Sequence, residues 1–115
     1  VLMSSAIGIP AIRRYYDASL QEFSPRQVAL DVFSAGHDLI FLDQLSMDKD
    51  WAKEYQAIQE VIGFFQERYT GDPDFAARVD AAVRRILHLK LRLYGASYVP
   101  PLAVEAASVI TAASW

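Results

Sequence analysis

The chain has no cysteine, which excludes disulfides and thiolate metal sites and leaves its compartment open. It has two histidines, His37 and His88. They are far apart and lack carboxylates at ligand spacing, so neither a metal centre nor any other cofactor is expected. No apolar run approaches the roughly 18 residues of a membrane span, and no basic segment with a cleavage site opens the sequence. A membrane partner is therefore not expected. Positive charge is also scarce: 11 Lys and Arg stand against 14 Asp and Glu, for a net −3. The basic residues are scattered among acidic ones, which gives no reason to expect nucleic acid. What the sequence does have is apolar mass. Hydrophobic residues make up 53% of 115, enough to rule out disorder and to build one small domain.

Val1-Leu2-Met3 is a short unbroken apolar run before Ser4-Ser5, the pattern of a buried strand that begins within something longer. From Ala6 to Phe23 an irregular stretch is expected, carrying Gly8, Pro10 and the cluster Arg13-Arg14-Tyr15-Tyr16. Ser24-Pro25-Arg26-Gln27 reads as a capping box with proline at the first helical position, Gln27 reaching back to the cap. The helix should run to about Ala35, bury Val28, Val32 and Phe33, and end on a left-handed Gly36. Leu39-Ile40-Phe41-Leu42 is a second continuous apolar strand. Strand, helix, strand is a βαβ unit, which implies parallel pairing and a sheet covered on both faces.

Two longer helices follow. Trp51, Tyr55, Ile58, Ile62, Phe65 and Tyr69 form a helical stripe expected to pack on the sheet, with Gly71 ending that helix. Asp72-Pro73 opens the next, whose stripe is Phe75, Val79, Ala82, Ile86, Leu89 and Leu93. Asp74 with Arg78, and Asp80 with Arg84, are spaced to pair one turn apart. Arg84-Arg85 reads as a solvated face and His88 as a surface residue. Gly95 should end the helix. Residues 96–115 then read as a linker and the start of a following segment.

Three stretches together resemble glycoside hydrolase family 3: Val1-Leu2-Met3-Ser4, Ala35-Gly36-His37-Asp38-Leu39-Ile40, and Val79-Asp80-Ala81-Ala82-Val83-Arg84-Arg85-Ile86-Leu87-His88-Leu89-Lys90. The closing helix is the most distinctive piece, and the resemblance covers roughly residues 1 to 95. It implies a helix-rich α/β fold: the last two strand–helix units of a parallel (β/α)8 TIM-type barrel, strands seven and eight of a β-glucosidase-like or β-N-acetylhexosaminidase-like catalytic domain. In that family a Ser-Asp pair ends the seventh strand, and the aspartate is the nucleophile of a retaining hydrolysis. Such chemistry needs two carboxyl groups about 5–5.5 Å apart. The matching position here is Ser5, which lacks the carboxylate. The family's acid/base comes from elsewhere, so the chain by itself is expected to be inactive.

The other candidates lie where barrel active sites gather, at the C-terminal ends of the strands. Asp43 follows the second strand and either contacts sugar hydroxyls or simply caps its loop. Arg13, Arg14 and Tyr16 leave the first strand; arginines bind hydroxyls and rings pack on sugar faces, and packing of the tyrosines on neighbouring loops is an equal reading. His37, at the start of the second strand, is on the wrong side to activate Ser5. Two strands cannot close a barrel, so exposed edges and apolar helix faces are an association hazard. Three readings stay open: a part of a glycosidase acting on β-glycosides, a non-catalytic carbohydrate-binding relative, or an α/β protein-interaction module.

Overall fold

A computed structural model describes residues 1–18 and 23–95. The element order is β1 (Met3–Ala6), α1 (Pro10–Ala18), α2 (Pro25–Ser34), β2 (Leu39–Phe41), α3 (Trp51–Gly71) and α4 (Pro73–Tyr94). The two strands pair in parallel, as the βαβ pattern requires. The linker and following segment expected over residues 96–115 lie outside the described residues.

The first departure from the sequence reading is α1, which occupies the middle of the stretch expected to be irregular. Pro10 sits in its first turn, where a fixed φ and a missing N–H cost nothing. The Ile9 carbonyl accepts from the Ile12 and Arg13 amides, and Tyr16 turns inward. Ser24 caps α2 as expected, its Oγ accepting from the Gln27 amide at 3.5 Å. The Gln27 side chain does not close the box. It donates instead to Asp31 Oδ1, one turn along, at 2.8 Å. Gly36 takes φ 107°, a conformation that favours glycine, and turns the chain into β2.

The β1–β2 ladder holds an irregularity that bears on function. Met3 lies opposite Leu39 and Ala6 opposite Phe41, so β1 carries one extra residue at Ser4-Ser5. This is a bulge, uncommon in parallel pairs. Ser4 is buried, and its Oγ accepts the Phe41 amide at 2.9 Å, filling the place of a ladder carbonyl. Ser5 projects to the exposed side.

Among the described residues, helices cover one face of the sheet only. Ile7, Tyr16, Val28, Ala29, Leu45 and Val61 form one core cluster, and Phe33, Phe75 and Ala82 a second, with Ile40 and Phe65 packed on both. Phe33, Phe65 and Phe75 meet edge to face at centroid distances of 5.3 to 5.8 Å, the geometry the ring quadrupoles favour. The other face is bare. Met3, Leu39 and Phe41 are 60, 40 and 48% exposed, so the expected covering of both faces is absent among the described residues.

The helix stripes are buried over part of their length. In α3, Ile58 and Phe65 pack on the core beside buried Val61, whereas Trp51 and Tyr55 stand exposed and Ile62 and Tyr69 nearly half so. In α4, Phe75, Val79 and Ala82 pack inward while Leu89 and Leu93 do not. The reason is width: two strands span too little to receive helices of 21 and 22 residues along their whole length. Gly71 is the last residue of α3, as expected, and Asp72 caps both this helix and the next. The Asp72 amide donates to the Arg68 carbonyl, and its Oδ1 accepts from Asp74 and Phe75. Neither expected intrahelical ion pair forms, because both have better partners. Arg78 donates to the Ser34 carbonyl, and Asp80 accepts from the Tyr69 hydroxyl.

Candidate functional site

The C-terminal ends of both strands open into a cleft of about 630 Å³. Its walls come from the segment after β1 and the loop between β2 and α3, and they include Arg13, Arg14, Asp43 and Trp51. Glycine is required where these walls meet. The Gly8 amide donates to the Asp43 carbonyl at 3.1 Å, and a Cβ on Gly8 would fall inside the Gln44 carbonyl group.

Four anchors hold the β2–α3 loop. Arg13 donates from Nε to the Gly8 carbonyl at 3.0 Å, and from Nη2 to the Gln44 and Leu45 carbonyls at 2.6 and 2.8 Å. Its guanidinium also lies 4.0 Å from the Phe23 ring centroid. Glu54 reaches back from the first turn of α3, its two oxygens accepting the Leu45 and Ser46 amides at 2.9 and 2.6 Å. Leu45 itself is buried in the core, and Lys53 pairs with Asp48. The same loop contains Gln44 at φ 60° and Lys49 at φ 51°, the non-glycine residues with positive φ among the described residues. Such conformations cost energy and persist where surrounding structure over-determines them, often at functional sites; the anchors supply that constraint.

The sequence candidates divide accordingly. Arg14 and Asp43 line the cleft, and among the described residues no side-chain partner engages either. Arg13 lines it too, but its guanidinium is committed to three backbone carbonyls and is a fastener, not a ligand group. Tyr16 is a core residue, 6% exposed, donating to Asp31 Oδ2 at 2.6 Å. Burial, and then the Asp31 carboxylate, push its phenol well above its usual range. Ser5 is exposed on the bare face of the sheet and is not among the residues lining the cleft. Among the described residues no base lies beside it: His37 is at the opposite strand end, its Nδ1 3.0 Å from the Val32 carbonyl. His88 is exposed.

Two residues escaped the sequence reading. Trp51, read as core, is 80% exposed on the cleft wall. Arg85, read as solvated, donates from Nε and Nη2 to Asp38 Oδ1 at 3.0 and 2.7 Å, tying α4 to the start of β2. The Arg85 guanidinium holds the Asp38 carboxyl below the usual carboxylate range. Nothing in one-turn spacing signals a contact across 47 residues. Among the described residues no group of His, Cys, Asp and Glu could hold a metal, and no helix is long and apolar enough to cross a membrane.

No family model, curated protein or solved structure matches the chain.

Proposed function

We propose that the chain forms the seventh and eighth strand–helix units of a barrel of the glycoside hydrolase family 3 type, and that it contributes to carbohydrate binding without supplying the chemistry of cleavage. The observation that carries this reading is the sheet. Two parallel strands have one face covered by α2 and α3 and the other face apolar and open, while the loops from their C-terminal ends meet in a single cleft. A barrel wall has that build: helices outside, packed side chains inside, and the binding site at the C-terminal rim. Self-association through the bare face and strand edges belongs to the same reading, since an open sheet invites pairing.

Ser5 stands where the family carries its nucleophile, on the face that would look into the barrel. The bulge at Ser4-Ser5 supports a specialised strand end, since bulges re-aim side chains next to active sites. A hydroxyl with no base beside it is a poor nucleophile. The chain is therefore expected to show no turnover of aryl β-glucosides or aryl β-N-acetylglucosaminides. Turnover that disappears in Ser5→Ala, measured by release of the aryl group, would overturn this.

A further inference from the structure

We propose that Trp51 is the stacking platform of a subsite for a neutral pyranose ring in the cleft, with Arg14 and Asp43 taking the hydroxyls of that sugar. This rests on the carbohydrate reading above and names a residue and a sugar class that the reading leaves open.

Trp51 is the first residue of α3 and is 80% exposed. A tryptophan left that open loses the favourable transfer of a large apolar surface, and such surface on a cleft wall marks a binding position. An indole face is broad, apolar and rigid, which suits the C–H face of a pyranose. Its position is fixed. Asp50 caps the helix beneath it, accepting the Ala52 amide at 2.9 Å, and Glu54, one turn further on, is tied to Leu45 and Ser46.

Hydroxyls need donors and acceptors on the other walls. Arg14 and Asp43 line the same cleft with their charged groups unengaged among the described residues, one donating only and the other accepting only. The charge balance selects against an acidic sugar. With Arg13 and Glu54 bound to backbone, Arg14 and Lys49 share the cleft with Asp17, Asp43 and Asp50, so cations do not outnumber carboxylates. A uronate would meet no net attraction there.

The test uses the full chain carrying Trp115→Phe, so that Trp51 is the only indole. Cellobiose and methyl β-D-glucopyranoside are titrated while Trp51 emission and ligand-observed NMR are recorded together. The expected result is a blue shift of Trp51 emission that tracks NMR-detected binding. Trp51→Ala should weaken that binding about tenfold, the loss of one aromatic contact, and Trp51→Tyr should largely restore it. Binding with unchanged emission and unchanged affinity in Trp51→Ala would overturn the platform and leave the carbohydrate reading standing. No binding of either sugar would overturn both. Tighter binding of methyl β-D-glucuronide than of the glucoside would overturn the neutral class.

Discussion

Gly8 and Arg13 do the same work from two directions: they bring the segment after β1 against the β2–α3 loop. Gly8 does so by having no side chain where the Gln44 carbonyl passes, Arg13 by donating to that carbonyl and to its neighbours. Gly8→Ala is therefore expected to force backbone apart at the cleft. Hydrogen exchange at Leu45 and Ser46 should rise well before global stability is lost, whereas a loop that stayed protected would show the contact to be incidental. Tyr16 allows a prediction of pH dependence. Its phenol holds its proton beyond the ordinary 10.0 in the fold, whereas the unfolded chain ionises there. The stabilisation is complete below pH 10 and is lost as pH rises towards the folded value. Denaturant midpoints should fall above pH 10, and Tyr16→Phe should remove part of that fall while costing about 1 kcal/mol at pH 7 for the bond to Asp31. At this scale the sequence was uneven. Ser24 and Gly36 were legible because capping and left-handed turns are decided within four residues. Arg13 was not, because its acceptors lie 31 and 32 residues further along the chain.

The elements were more legible than their ends. Both long helices, α2 and the parallel strand pair follow from apolar periodicity and length. The missed helix, α1, follows Gly8 and begins at Pro10, and those residues read as breakers until the first-turn position of the proline is recognised. The helical stripes were real, but the sheet available to cover them was too narrow, so Tyr55, Leu89 and Leu93 remained outside. Asp72 is the most economical feature among the elements, closing α3 with its amide and opening α4 with its carboxylate. Asp72→Ala should cost about 1–2 kcal/mol, the upper part of the range for a lost N-cap. The loss should appear in urea unfolding, with Asp72→Asn retaining most of the stability. A loss of only a few tenths would mean that Pro73 and the Phe75 contacts hold the junction unaided.

Across the whole molecule, the covered face and the open face of one small sheet have to be explained together. The covered face carries a core that includes three edge-to-face phenylalanines and two large, completely buried side chains, Ile7 and Val28. The open face presents Met3, Leu39 and Phe41 to water, with Ser5 beside them. The strand polarity then places Arg14, Asp43 and Trp51 together at the rim. The sequence located that rim through Asp43 and the Arg13-to-Tyr16 cluster. It could not assign roles within the cluster, because clamp, ligand and core residue differ only in tertiary partners. On the reading proposed above, a barrel interior would account for the open face and a sugar site for the rim. The most direct measurement replaces the seventh and eighth strand–helix units of an active family 3 β-glucosidase with residues 1–95 and assays aryl β-glucoside hydrolysis beside the same graft carrying Ser5→Asp. The account predicts that both grafts fold and that only the aspartate form turns over. Folded grafts that are both inactive, or an active graft with Ser5 intact, would contradict it.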